Sequence, residues 1–88
     1  MIITTAQHTV GTTAVQIAAS DGVNRQMSIH AIGNSAVYLG ASSAVSTTTG
    51  FYIDKNAGPL QIEIDGNDEL WAISATGSQT VTVMQITL

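Results

Sequence analysis

The stretch Leu60-Gln61-Ile62-Glu63-Ile64-Asp65, LQIEID, decides the class of structure. Leu60, Ile62 and Ile64 fall on one side of the chain, and Gln61, Glu63 and Asp65 on the other. Successive side chains of a β-strand point to opposite faces, so this alternation is a strand with one buried and one wet face. A helix would need apolar spacings of three and four. The flanks agree. Pro59 has no N–H to give to a ladder and suits a strand entry. Asp65-Gly66-Asn67-Asp68 is turn chemistry.

The same signature repeats outward in both directions. Strands are predicted at residues 2–10, 14–19, 25–32, 36–39, 51–53, 60–65, 70–75 and 80–88. Gly11-Thr12, Ser20-Asp21-Gly22, Gly33-Asn34 and Gly77-Ser78 punctuate them, supplying positive φ and side-chain-to-backbone bonds. Met27, Ile29 and Ala31 alternate with Ser28 and His30. In the last strand Val81 and Val83 take one side and Met84, Ile86 and Leu88 the other. Apolar groups on both faces suit a strand buried between a core and a neighbour. Residues 41–50 are irregular, and 55–59 form a loop. No sustained helical spacing appears. Seven or eight short strands in 88 residues predict an all-β chain, a compact antiparallel β-sandwich or jelly-roll-like barrel, in a single domain 1–88.

Composition narrows the function classes. Charged residues are 9% of the chain, against about 25% in an ordinary soluble domain. Arg25 and Lys55 are the only strong bases and the net charge is −4. Clustered cations are what phosphate backbones and anionic lipid surfaces require, so no nucleic acid and no membrane is expected as a partner. No apolar run approaches the length of a spanning helix. The opening MIITTAQHTV lacks a basic segment followed by an apolar one, so no signal peptide is expected. With no cysteine, neither a disulfide nor a thiolate metal site is available. Small domains compensate with such staples or with oligomerisation, which leaves self-association as the expectation.

Catalytic and ligand readings are each weaker than a structural one. The acidic stretch Glu63, Asp65, Asp68 and Glu69 offers the oxygens a cation would want, but Leu70 stands where an EF-hand loop needs Gly; a solvated hairpin tip is the preferred reading. His8 and His30 lack a third ligand. No G-x-S-x-G elbow occurs, and Glu63 and Asp65 share one face of one strand instead of facing across a cleft. The chain is therefore expected not to be an enzyme, with no cofactor and no metal. Among the aromatics, Phe51 and Trp71 are assigned to the core.

The second half carries a recognisable order of pieces: AVYLG, an uncharged Ser/Thr/Ala/Val stretch, TGFYI, LQIEI, NDELWAIS and TVTVMQI, covering about residues 34–88. This order resembles small virion proteins of tailed bacteriophages, the capsid decoration and head-fibre-like β-sandwich proteins. The resemblance implies a non-enzymatic structural module that oligomerises, as a homotrimer, and decorates a phage capsid by protein–protein interaction with the major capsid protein. Its implied location is the virion, assembled in the host cytoplasm. The alternative is a phage tail or receptor-binding component that recognises host surface glycans through Tyr38, Tyr52 or Trp71. The uncharged segment AVYLGASSAVSTTTGF is read as a tightly packed connection near a subunit contact, because short Ser, Thr and Ala side chains lose little entropy on packing. Tyr38, Leu39, Val45, Phe51 and Tyr52 are the candidate contacts with another subunit or the capsid.

Overall fold

Alternation builds eight strands among residues 2–87, which the computed structural model describes. They are β1 (Ile2–Val10), β2 (Val15–Ala18), β3 (Arg25–Ala31), β4 (Val37–Gly40), β5 (Phe51–Ile53), β6 (Leu60–Ile64), β7 (Leu70–Ser74) and β8 (Gln79–Thr87). Two four-stranded sheets result, ordered β1-β8-β3-β6 and β2-β7-β4-β5. Every neighbouring pair is antiparallel. The pairs nest: β4 with β5, β3 with β6, β2 with β7, β1 with β8. One long hairpin rolled over on itself gives this order, so the sandwich is a jelly roll. The strands expected from alternation are all present. Leu88, assigned above to the outer side of the last strand, lies outside the described residues.

Register fixes what the sandwich buries. In the first sheet, Val83 pairs with Ala6 and Ile29, and Ile29 pairs with Leu60. The next rows run Thr4–Gln85–Met27–Ile62 and His8–Val81–Ala31. These rows face Val37, Leu39, Ile53, Leu70 and Ala72 of the second sheet in one apolar cluster. Val10, Met27, Ile29, Val37 and Val81 are buried completely or nearly so, each stabilising by about 1.5–3 kcal/mol. The opposite face of the first sheet carries Ile3–Ile86–Gln26–Glu63, Thr5–Met84–Ser28–Gln61 and Gln7–Thr82–His30.

Arg25 closes one end of the sandwich. Its place in β3 puts it on the inward face beyond Met27, and it is 1% exposed. A buried guanidinium needs acceptors. Nη1 donates to the Ala19 carbonyl at 2.7 Å and Nη2 to that of Asp68 at 3.2 Å. A longer contact of 3.5 Å joins Nη2 to the Asp65 carbonyl. The charge is met by Asp21, whose Oδ1 lies 3.4 Å from Nε, but Nε itself has no hydrogen-bond partner. Arg25 therefore ties the β2–β3 and β6–β7 connections together. Gly66 makes the same junction from the other side. Its carbonyl accepts from the backbone N–H groups of Asp21 and Gly22, and a Cβ there would meet backbone atoms of Gly22 and Val23 at 2.5 Å.

Total accessible area is 4858 Å², and a monomer of this mass is expected to expose about 4,900 Å². The chain thus exposes about as much surface as an ordinary monomer of its mass. Any case for partners rests on where the exposed apolar groups lie, not on how much surface is left.

Candidate assembly surfaces

Four strands lie at sheet edges, and an edge strand presents unpaired N–H and C=O groups to other chains. Three of the four are blunted. β2 has four residues and a register shift between Gln16 and Ala18. β5 has three residues. β6 follows Pro59 and carries Glu63 on its outer face. The fourth, β1, is nine residues long, with no proline, no glycine and no Lys, Arg, Asp or Glu. Ile2 and Ile3, on opposite faces of it, are 62% and 58% exposed. Thr4, Thr5, Ala6 and Gln7 are exposed as well. β2, with four residues, is less than half as long as β1, and this half of β1 is exposed on both faces.

The sandwich is open on the other flank. Leu39, Phe51, Leu60, Ile62 and Leu70 line a slot of about 270 Å³ between the sheets, where β5 and β6 form its rim. Phe51 pairs with Leu39 and so points inward, yet it is 57% exposed at the open rim of the slot. Phe51 is accordingly not the core filler expected above. Nor is Trp71: its partner across the strands is Gly40, on the outer face, and its indole N–H donates to Glu69 Oε1 at 3.0 Å. The same carboxylate oxygen accepts from Gln16 Nε2 at 2.7 Å.

The other candidate contacts are scattered. Leu39 is buried inward and Val45 is buried against its own chain. Val45 sits on Gly40, where a Cβ would come within 2.6 Å of the valine side chain. This seat folds residues 41–50 back over the outer face of the second sheet. Ser46 then gathers the turn, its Oγ within 3.0 Å of the Thr48 and Thr49 hydroxyls. The uncharged segment is packed through Val45, while Ser42, Ser43, Ala44 and residues 47–49 face solvent. Tyr38 and Tyr52 form an edge-to-face pair at 5.6 Å on the same outer face. The Tyr52 hydroxyl donates to Asp54 Oδ2 at 2.8 Å. That bond, first, and the Asp54 charge, second, raise the Tyr52 phenol above its usual value. The same bond is the main reason the Asp54 carboxyl is held below its own usual value.

The acidic stretch is used by its own turn. Asp65 Oδ1 accepts from the Asn67 N–H, and Asp68 Oδ2 from the Asp65 N–H. Among the described residues no three His, Asp or Glu side chains stand together as a metal site. His30 Nε2 lies 3.3 Å from the Lys55 carbonyl oxygen. It borders a shallow depression of about 600 Å³ on the outer face of the first sheet, with Thr5, Gln7, Ser28, Thr82 and Met84. One imidazole without a carboxylate partner or an activated hydroxyl does not make a nucleophilic constellation.

No family model matches the chain, and no curated protein matches its sequence. A solved structure does match in fold. It belongs to the Bacillus endospore appendages, described as a novel family of disulfide-linked pili. The TM-score is 0.66, with 14% identity over 99% of this chain and 86% of that one. The fold resembles that of a pilus-forming appendage protein. At this identity the likeness shows the jelly-roll sandwich and assigns this chain no role. It also overturns the phage reading. The resemblance to capsid decoration and head-fibre-like proteins, the capsid-stabilising role, the tail or receptor-binding alternative and the virion location all fall with it, because the structural neighbour is a bacterial appendage protein. The homotrimer was inferred from the habits of the phage proteins and loses that support. The physical reason is plain in the register. The motifs AVYLG, TGFYI, LQIEI, NDELWAIS and TVTVMQI are β4 to β8 with their turns. Their order reports a rolled hairpin, which unrelated jelly rolls share.

Proposed function

We propose that this chain is a non-enzymatic structural subunit that associates with copies of itself into an extended, pilus-like appendage. The observation that carries the reading is β1, a long edge strand with neither charge nor proline to refuse a partner and with Ile2 and Ile3 exposed on its two faces. Monomeric β-proteins guard such edges. The fold likeness to an appendage described as a pilus supports the same direction. One difference follows from composition. The appendages are described as disulfide-linked, whereas these 88 residues contain no cysteine. Contacts made by them are therefore not disulfide-linked.

Negative-stain electron microscopy and light scattering on the purified chain test the proposal. Concentration-dependent filaments that reductant leaves intact are expected. A monodisperse monomer at the highest soluble concentration overturns it.

A further inference from the structure

The two flanks of the sandwich differ in a complementary way. Residues 11–14 join β1 to β2 and residues 54–59 join β5 to β6, so β1 and β2 edge one flank and β5 and β6 the other. On the first flank β1 has nine residues against four in β2, and its inward-facing Ile2, Thr4 and Ala6 are exposed. On the second flank the slot between the sheets is unfilled, with Leu60 and Ile62 half-buried at its mouth. One flank has apolar strand without a cover, and the other has a cover without a strand.

We propose that β1 of one copy adds to β6 of the next and closes the slot. This rests on the proposed function and names the surface through which it would work. Strand sense supports it. The first sheet has four strands, each antiparallel to its neighbour, so β1 and β6 run in opposite directions. A copy displaced along the sheet brings β1 beside β6 in antiparallel sense, and the ladder continues unbroken. The same even count makes β5 and β2 antiparallel neighbours across the junction in the second sheet.

Face parity agrees as well. Without shear, the rows of the first sheet carry Ile2 opposite Ile64, Thr4 opposite Ile62 and Ala6 opposite Leu60, all inward. Thr5 then meets Gln61 on the outer face. An apolar cavity of about 150 Å³ accepts a benzene-sized group; the slot, at about 270 Å³, has room for the inward side chains of an added strand. Such a contact joins different surfaces of the two copies, so it repeats from copy to copy and yields an open filament when the rotation between them does not close a ring. Pairing of β1 with its own symmetry mate would give a closed dimer and leave the slot empty.

The absence of cysteine makes a direct test possible. In the double variant T5C/Q61C the two thiols of one chain are separated by β8 and β3, about 14 Å at ordinary strand spacing. A disulfide needs Cα atoms about 4.4–6.8 Å apart, so only neighbouring copies can cross-link. T5C/E63C covers a register shifted by two. Mild oxidation is expected to give dimers, trimers and a longer ladder on non-reducing gels, collapsing with reductant. Adding Ile2→Lys, at an exposed position, is expected to abolish the ladder while the β circular dichroism persists. Filaments by microscopy with no ladder from either double variant overturn the junction and leave the filament role standing. Dimers from T5C alone, with no longer species from the doubles, assign β1–β1 pairing and overturn it too. A monomer in the parent and in every variant removes both the junction and the function it rests on.

Discussion

Arg25→Lys separates the forked geometry of the guanidinium from its charge. Arg25 donates to Ala19 from one arm and to Asp68 from the other, at 2.7 and 3.2 Å. Hydrogen bonds from a charged donor are worth about 1.5–3 kcal/mol each. A lysine ammonium reaches one carbonyl or the other but cannot bridge two connections as a rigid fork does. One bond is lost, and R25K is expected to cost about 2 kcal/mol. At roughly 4–8 °C per kcal/mol for a domain of this size, its Tm falls by about 10 °C. Arg25→Met loses both bonds, about 3–6 kcal/mol. Total stability for 88 residues is about 4–13 kcal/mol, so R25M is expected to lose a large part of it and to melt well below R25K. Asp21→Asn is the control. The ion pair is 3.4 Å long, and the Asp21 side chain is 41% exposed, so its loss costs about 0–1 kcal/mol; the amide keeps an oxygen for the Val23 N–H. Urea denaturation followed by circular dichroism reads all three, with an unchanged m-value required of R25K and D21N. An R25K variant as stable as the parent, or a D21N variant weaker than R25K, would refute the view that the carbonyl ties, not the ion pair, hold this end shut.

Three further outcomes follow from the same geometry. Gly40→Ala drives a methyl into the Val45 side chain, so residues 41–49 should exchange their amide hydrogens faster while the strands stay protected; unchanged protection there would show that Val45 is not the anchor. Gly66→Ala meets backbone, not a movable side chain, at 2.5 Å, and is expected to destabilise by about 1–3 kcal/mol, the usual cost of overpacking, with a wild-type melting curve counting against the close approach. The Tyr52–Asp54 bond sets a pH window. Asp54 titrates below its unfolded value, so its contribution is present above that value and is lost as pH falls through the folded one. Tyr52 titrates above its unfolded value, so its contribution is present below that value and is lost as pH rises through the folded one. Tyr52→Phe should return the Asp54 carboxyl toward its ordinary value in an NMR titration, and an unmoved titration would break the assignment.

The sheet architecture was legible because the dominant interaction writes itself into the sequence at period two. LQIEI and RQMSIHA each have one apolar face, and each became a strand with that face inward. Parity fails where both faces are mixed. In Leu70-Trp71-Ala72-Ile73-Ser74 either set of residues makes a plausible inner face, and size favours Trp71. The pairing of Leu39 with Ala72 and of Gly40 with Trp71 decided the matter the other way, and pairing is a long-range property. Phe51 was misplaced for a different reason: it does point inward, but at an edge where the second sheet stops. The Val45 seat on Gly40 left a trace in the sequence, one Val among Ser and Thr five residues after a strand-ending Gly, though nothing local says which glycine it would cover. The family was illegible because the quoted motifs encode turns and alternation, which the fold demands of any sequence that adopts it.

The edge strand is the most instructive case. IITTAQHTV of β1 and QTVTVMQIT of β8 are alike: nine residues each, rich in β-branched side chains, without Lys, Arg, Asp or Glu. For β8 this composition has an evident cause, since β1 lies on one side of it and β3 on the other. A strand with ladder partners on both sides needs no device to repel a third. β1 has the same composition with a partner on one side only. Edge strands in monomers carry lysines, prolines or bulges because an open ladder recruits other chains, and β2, β5 and β6 are each short, bulged or marked by proline or charge. The exception cannot be put down to a sequence generally poor in charge, for β6 shares that sequence and still carries Glu63 with Pro59 just before it. β1 has the composition of an interior strand at the edge of its sheet, and that mismatch is what the proposed junction with a second copy would resolve.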